Sequence, residues 1–189
     1  MNIVTVEQAV ALLADGLIVG VPTDTVYGLA VDPANRLAVE RLFTLKSRSA
    51  AKPIGLLAHD VTALAGWAEL PDRSKALLDA HWPGAFTVVC TAGPLVSEGL
   101  GDAERKTIGV RIPDHPVARA LLERTGPLAV TSANRSGEAD CHSHDAAFAV
   151  LGNGVAGYLA GGASIGLAST VVDITGEEPV VLRPGPIVL

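Results

Sequence analysis

The stretch Ile18-Val19-Gly20-Val21-Pro22-Thr23-Asp24-Thr25-Val26-Tyr27-Gly28-Leu29 joins an apolar run to a polar segment. Residues 18–21 predict a buried strand, and residues 22–29 predict a loop that carries hydroxyls, a carboxylate, a phenol and a glycine. An α/β protein presents polar groups to a small ligand in this way, at the carboxyl end of a strand. A plain turn is the alternative, because Pro, Thr, Asp and Gly are all turn residues. A turn does not require two threonines and a tyrosine, so the pattern favours a ligand site.

The composition indicates one globular domain that covers residues 1–189. Hydrophobic residues make up 49% of the chain and the mean hydropathy is +0.38, which is ample for an aliphatic core. No segment approaches the run of about 18 apolar residues that a membrane span needs, and the first residues lack the features of a signal peptide. Cys90 and Cys141 form no CxxC pair. We therefore expect a reduced, cytoplasmic protein without a disulfide framework or a membrane segment.

The charge distribution argues against a surface built to hold nucleic acid. The net charge is −6 and the isoelectric point is near 5.3. Five basic residues nevertheless fall within residues 36–52: Arg36, Arg41, Lys46, Arg48 and Lys52. A local basic cluster on an acidic protein suits an anionic small molecule better than a long polyanion.

Helices and strands alternate along the chain, which predicts an α/β sheet with some antiparallel pairing near the end. Thr5 and Gln8 have the form of a capping box, and Gly16 is placed to end the first helix. A second helix is predicted over 36–45, with Leu37, Leu42 and Leu45 facing inward. Further helices are predicted over 72–81 and 116–125 and around 145–150. Further strands are predicted over 53–57, 86–91, 107–112, 128–131, 169–174 and 180–182.

The cations Lys46 and Arg48 sit at the end of the second helix, with Lys52 just beyond. The alternative is a structural role, because cations near a helix C-terminus interact favourably with the helix dipole. As a group they favour phosphate binding, since lysine supplies a point charge and arginine a planar fork. We expect this helix end to be exposed, so that truncation of Lys46 or Arg48 would cost little stability.

Two further features extend the site hypothesis. Arg111 lies in an otherwise apolar strand, where a charge is costly unless paired, so it either forms an ion pair within the fold or faces a ligand carboxylate. Residues 128–130 form a short apolar run that ends in Thr131-Ser132-Ala133-Asn134. Turn formation explains these polar residues equally, but two strand ends with the same chemistry favour a shared cleft.

The sequence lacks the P-loop, dinucleotide-binding and nucleophile-elbow motifs. The tract Cys141-His142-Ser143-His144 has no second ligand pair, so we expect no metal site on the protein itself. Five histidines without an evident partner offer no catalytic triad.

Seven motifs occur together and in order, and they carry a family resemblance. They are residues 22–29, Lys46-Ser47-Arg48 with Lys52-Pro53, Trp82-Pro83-Gly84, Arg111-Ile112-Pro113, Ser132-Ala133-Asn134 with Ser136-Gly137, residues 169–173, and Arg183-Pro184-Gly185. The chain resembles the short, single-domain form of the YrdC-like threonylcarbamoyl-AMP synthases from about residue 5 to its C-terminus. The resemblance implies a twisted, mixed parallel and antiparallel α/β sheet with flanking helices around an open positive cleft.

The resemblance also implies an activity. L-threonine, bicarbonate and ATP would give threonylcarbamoyl-AMP and pyrophosphate, the first step of the threonylcarbamoyladenosine modification at tRNA position 37. ATP is then a substrate, with Mg²⁺ bound through its phosphates. A downstream tRNA threonylcarbamoyl-transferase would be the partner, and RNA contact by this chain would be weak or transient.

Site residues carry over from the family motifs position by position. The catalytic cations of the K-x-R signature are Lys46 and Arg48. The residues matched to ATP are Lys46, Arg48, Lys52, Thr107, Asn134 and Arg183. The residues matched to threonine are Thr23, Thr25, Tyr27, Arg111 and Ser132. The usual Ser-Pro-Thr stretch of the family is replaced by Asp140-Cys141-His142, which leaves that nucleotide contact without a match.

Two other functions remain open from the sequence. An RNA-binding module would use the basic cluster on RNA phosphates and need no ATP, although the acidic balance and few aromatics oppose it. A relative that transfers carbamoyl groups would use carbamoyl phosphate and neighbouring domains.

Overall fold

A computed structural model describes residues 1–47, 53–161 and 166–189, which form one sheet with helices on both faces. The helices are α1 (Val6–Ala14), α2 (Arg36–Lys46), α3 (Lys75–His81), α4 (Pro116–Thr125) and α5 (His144–Leu151). The strands are β1 (Ile3–Val4), β2 (Val19–Val21), β3 (Gly28–Val31), β4 (Gly55–Leu57), β5 (Ala68–Glu69), β6 (Phe86–Ala92), β7 (Thr107–Arg111), β8 (Leu128–Ser132), β9 (Gly157–Leu159), β10 (Thr170–Asp173) and β11 (Val180–Arg183).

The strand order is β1-β9-β2-β3-β8-β4-β7-β6-β10-β11, with β5 paired to β6 off this path. The parallel pairs are β1 with β9, β2 with β9, β4 with β7 and β6 with β10. The antiparallel pairs include β2 with β3, β3 with β8, β4 with β8 and β6 with β7. The sheet is therefore mixed, as the sequence predicts.

The two faces of the sheet serve different purposes. On one face, Leu29 and Val110 belong to a large aliphatic core that packs under α2, α3 and α5. On the other face, Ala30 belongs to a smaller core under α1 and α4. Successive residues of a strand point to opposite faces, which is why adjacent residues such as Leu29 and Ala30 enter different cores. The middle of the second face forms the floor of a cavity.

The local signals for α1 are confirmed. Thr5 Oγ1 accepts from the Gln8 amide at 3.3 Å, and the Thr5 amide donates to Gln8 Oε1 at 2.9 Å, which completes the capping box. Gly16 follows the C-cap with φ 71°, a left-handed conformation that glycine adopts without strain.

Two sequence predictions about elements are wrong. The predicted loop over 22–29 is too long, because Gly28 and Leu29 already belong to β3, which turns back antiparallel to β2. Leu37 is 62% exposed rather than inward, because the buried stripe of α2 consists of Ala38, Val39, Leu42 and Lys46. The helix is thus rotated so that a lysine, and not Leu37, faces the interior.

No helix among the described residues is both long enough and apolar enough to cross a membrane.

Candidate active site

A cavity of about 460 Å³ lies across the middle of the sheet. Side chains or backbone from β3, β4, β6, β7, β8, β10 and β11 form its floor and walls. Its polar lining is Thr23, Thr25, Thr87, Asp102, Arg105, Thr107, Arg111, Thr131, Ser132, Asp140, Ser169 and Arg183. The two strand ends that the sequence singles out, after β2 and at the end of β8, therefore meet at one cavity.

An ordered chain of hydrogen bonds holds the loop after β2. Arg111 Nη1 donates to Thr25 Oγ1 at 2.7 Å, and the hydroxyls of Thr25 and Thr23 are 3.0 Å apart. Thr23 Oγ1 donates to the Val26 carbonyl at 2.7 Å, so Thr25 is the donor in the bond between the two hydroxyls. The Thr25 amide also donates to Thr23 Oγ1 at 3.2 Å. Thr23 and Thr25 thus stabilise a turn and line the cavity at the same time.

Arg111 forms an ion pair within the fold and also lines the cavity. Its guanidinium forms an ion pair with Asp24, and Nε donates to the Gly84 carbonyl at 2.9 Å. It is 6% exposed and still lines the cavity. Burial lowers the pKa of Arg111, and the carboxylate of Asp24 opposes this shift. The internal ion pair compensates the charge and fixes the guanidinium at the cavity wall.

A buried lysine organises the turn that follows β8. Lys46 Nζ donates to the Ser132 carbonyl, to the Asn134 carbonyl at 2.7 Å and to Asn134 Oδ1 at 2.8 Å. Ser132 Oγ donates to the same Asn134 Oδ1 at 2.7 Å. Lys46 is 0% exposed, which corrects the expectation of an exposed helix end. Among these three, only Ser132 lines the cavity.

Thr107 and Arg183 also line the cavity. Thr107, at the start of β7, is 6% exposed. Arg183 Nη2 donates to the Ser169 carbonyl at 2.9 Å and to Ser169 Oγ at 3.2 Å. Ser169 Oγ in turn lies 2.7 Å from Thr87 Oγ1. The sequence interpretation missed Thr87, which is recognisable only once β6 and β10 are paired.

Asp102 and Arg105 also line the cavity, and sequence reasoning assigned neither of them. They lie in the connection between β6 and β7, where Asp102 Oδ1 accepts from the Arg105 amide at 3.0 Å. Arg105 Nη2 donates to Asp173 Oδ2 at 2.5 Å. Burial acts to raise the pKa of Asp173, but the hydrogen bonds from Thr175 and Arg105 keep it below its usual value.

Known proteins are similar to this chain in sequence and in architecture. The Sua5_yciO_yrdC family profile, described as "Telomere recombination", matches residues 11–185. The chain belongs to this family. A Mycobacterium tuberculosis relative is 41% identical over 184 residues, which cover 96% of this chain and 84% of the relative. The threonylcarbamoyl-AMP synthase of Bacillus subtilis is 36% identical over 96% of this chain, which spans only 54% of that protein.

Solved structures of the same family have the same fold. Pyrococcus abyssi Sua5 complexed with L-threonine superposes with a TM-score of 0.86 at 33% identity, over 95% of this chain and 54% of that one. Escherichia coli YciO superposes with a TM-score of 0.88 at 29% identity, over 96% of this chain and 89% of that one. These likenesses confirm the mixed α/β fold that the resemblance implied.

The structure does not bring every family-matched residue to the cavity. The Tyr27 phenol is 1% exposed and donates to the Leu159 carbonyl at 2.7 Å, and burial raises its pKa. It is a core residue rather than part of the lining, which corrects its assignment to threonine. The second cation of the K-x-R signature, Arg48, and also Lys52 lie outside the described residues.

The basic cluster does not form one patch among its described members. Arg36 pairs with Glu40 at 2.9 Å on the outer face of α2. Arg41 donates to the Gly16 carbonyl at 2.9 Å, and Lys46 is buried. Of the described cations, those that line the cavity are instead Arg105, Arg111 and Arg183, which come from distant parts of the chain.

The described residues contain neither a group of metal ligands nor a disulfide. In residues 1–47, 53–161 and 166–189, no group of three or more His, Cys, Asp or Glu side chains is arranged to hold a metal ion. Cys90 and Cys141 are both buried as free thiols.

Proposed function

We propose that this protein is an L-threonylcarbamoyladenylate synthase, which converts L-threonine, bicarbonate and ATP into threonylcarbamoyl-AMP and pyrophosphate. The observation that carries the proposal is the cavity itself. It brings together two hydroxyl-bearing strand ends, a buried arginine, Thr107 and Arg183. Membership of a family that contains threonylcarbamoyl-AMP synthases supports the same reaction.

The threonine side of the cavity is assigned to Thr23, Thr25, Arg111 and Ser132. Ser132 Oγ gives its proton to Asn134, so toward a ligand it acts as an acceptor for the ammonium or hydroxyl of threonine. Arg111 supplies positive charge for the threonine carboxylate. Its bonds to Asp24 and Thr25 hold it in place before the ligand arrives, which reduces the entropic cost of binding.

ATP contacts are assigned to Thr107 and Arg183, and the sequence adds Arg48 and Lys52. Lys46 and Asn134 do not line the cavity, so their role is to hold the turn that carries Ser132 rather than to touch ATP. Arg183 donates to Ser169 through one edge of its guanidinium, which orients the group for a phosphate or the nucleotide. Asp102 and Asp140 line the same cavity and supply the oxygen ligands that Mg²⁺ prefers. A Mg²⁺ held mainly by ATP phosphates fits these residues and would neutralise phosphate charge.

The reaction needs no covalent attachment to a side chain. The amine of threonine and bicarbonate form a carbamate and water, and a carbamate oxygen then attacks the α-phosphorus as pyrophosphate leaves. The protein's tasks are to hold the carbamate in line with the α-phosphate and to offset the developing negative charge. Arg183 serves the second task most directly, because Arg105 and Arg111 already pair with Asp173 and Asp24. The product would pass to a tRNA threonylcarbamoyl-transferase.

The test is pyrophosphate release from ATP with each amino acid and bicarbonate supplied or withheld. We expect release only when L-threonine and bicarbonate are both present, and we expect threonylcarbamoyl-AMP by mass spectrometry. L-alanine is the matched control, since it lacks the hydroxyl that Ser132 is proposed to recognise. Equal turnover with L-alanine, or turnover independent of bicarbonate, would contradict the proposal. RNA binding without ATP turnover would favour the RNA-binding alternative.

A further inference from the structure

The floor of the cavity contains a glycine in the middle of a strand. Gly109 is the central residue of β7, and it lies between Thr107 and Arg111 on the same face of the sheet. A glycine inside a strand is less favourable than alanine, because it loses more backbone freedom on folding. Its presence at such a position therefore needs a cause, either in the protein or in a ligand.

The neighbouring strand supplies a comparison. Gly55 of β4 also lines the cavity, and a Cβ added there would lie 2.6 Å from the Gly109 carbonyl oxygen. No real Cβ approaches a backbone oxygen so closely, so β4 and β7 can pair at this spacing only with glycine at position 55. Packing within the protein therefore accounts for the glycine at position 55.

Packing within the protein does not require glycine at position 109. Among the residues that the structure describes, a Cβ added at Gly109 would meet only Thr87 Cγ2, at an ordinary contact distance of 3.7 Å. Its backbone is that of a regular strand, paired with Val89 of β6, and its φ is not positive. A side chain at position 109 would fit the fold and occupy cavity space instead.

We propose that Gly109 is a positioning residue for the reaction, because its bare backbone lets the reacting ends of the two substrates lie directly against the cavity floor. The proposal rests on the function proposed above, which places threonine near Arg111 and the nucleotide near Thr107. A strand rises about 3.3 Å per residue, so Gly109 is about 6–7 Å from each of these residues. The carbamate and the α-phosphate, which must come together, meet over this midpoint.

The experiment compares Gly109→Ala and Gly109→Val with Gly55→Ala, which adds the same methyl group to the adjacent strand. We expect both variants at position 109 to keep the wild-type melting temperature or raise it, since alanine and valine suit a strand better than glycine. Gly55→Ala is expected to lower the melting temperature. A fall for Gly109→Ala as large as that for Gly55→Ala would assign the glycine to the fold and overturn the proposal.

The functional readout separates binding from reaction. For Gly109→Ala we expect at least a tenfold loss in kcat for pyrophosphate release, with L-threonine binding by calorimetry within about twofold of wild type. Gly109→Val should lose more activity than Gly109→Ala. An unchanged kcat in both variants would overturn the proposal. Failure of wild-type protein to release pyrophosphate would instead refute the proposed function, so the two failures are distinguishable.

Discussion

The hydroxyls at the cavity differ in the bonds that they already make. Ser132 Oγ donates its hydrogen bond to Asn134 Oδ1. Thr23 Oγ1 donates to the Val26 carbonyl and accepts from both the hydroxyl and the amide of Thr25. A hydroxyl can donate once and accept twice, so Thr23 is saturated within its loop. Substitutions at the two positions should therefore have different effects.

We expect Ser132→Ala to raise the KM for L-threonine at least tenfold, with a smaller change for ATP and little change in melting temperature. Removing a side chain that a buried ligand group needs leaves that group unpaired, which costs about 1–3 kcal/mol. Thr23→Val keeps the shape of the side chain but removes the bonds to Val26 and Thr25, so it should lower stability. It should raise the threonine KM only indirectly, because Thr25 also accepts from Arg111. Steady-state kinetics and thermal unfolding measure both. An unaltered threonine KM in both variants would refute the threonine assignment.

At the residue scale, the sequence predicts the polar lining well where a motif follows a strand. Thr23, Thr25, Thr107, Arg111, Ser132 and Arg183 are all predicted and all line the cavity. Tyr27, Lys46 and Asn134 do not, because sequence position alone cannot tell whether a polar group points to a cavity or to a partner inside the fold. Thr87, Asp102 and Arg105 are missed because each becomes part of the site only through strand pairing.

At the scale of elements, Lys46 joins the end of α2 to the end of β8. Its ammonium donates to two carbonyls and one side-chain oxygen of the Ser132–Asn134 turn, and the Ser136 amide donates back to the Lys46 carbonyl at 3.0 Å. The helix therefore fixes the position of the turn that carries Ser132.

We expect Lys46→Met to lower the free energy of unfolding by about 2–4 kcal/mol, because it removes a buried charge from three oxygens that it satisfies. Lys75→Met is the matched control, since Lys75 is an exposed helical lysine paired with Asp79. The control should leave the midpoint of urea unfolding unchanged. Equal and small shifts in both variants would show that the Lys46 ammonium is not held in the interior.

Sequence patterns give most elements within a few residues, because capping signals and apolar periodicity are local. The bounds of α4 are predicted at Pro116–Thr125, as observed, since proline starts it and Gly126 ends it. The strands β1, β3, β5 and β9 are not predicted, and β3 falls partly in the loop predicted over 22–29. The strands β1, β5 and β9 have two or three residues each, too few for a periodic pattern, and tertiary pairing alone holds them in the sheet.

At the scale of the molecule, the strand order cannot be predicted from the sequence. The chain visits β2 and β3 early, yet β3 is joined to β4 through β8, and β9 pairs with both β1 and β2. The cavity floor consequently combines residues from positions 28 to 183. A ligand that spans it contacts seven strands, from β3 to β11 in the sheet order, so binding should stabilise this part of the sheet as a unit.

Chemical labelling of Cys90 offers a way to measure how much a bound ligand stabilises the sheet. It is 0% exposed in β6, and burial raises its pKa to about 12, with the negative charges of Glu69 and Asp173 adding to the shift. In the unfolded chain the thiol ionises near 9.0, so at pH 8 unfolding increases the thiolate population about a thousandfold. A thiol reagent attacks the thiolate, so Cys90 is labelled only when the sheet opens.

We expect ATP with L-threonine to slow the labelling of Cys90 in a Cys141→Ser background, where Cys90 is the one cysteine left. A ligand that binds only the native state at 100 times its Kd stabilises that state by about 2.7 kcal/mol, which reduces opening about a hundredfold. The rate should rise with pH only as the open state's thiol ionises, and L-alanine in place of L-threonine should protect less. Rapid labelling without ligand, at the rate of urea-unfolded protein, would mean that β6 is not buried in solution. Slow labelling that substrates leave unchanged would mean that they do not bridge the sheet, because a ligand held across these strands must be released before they separate.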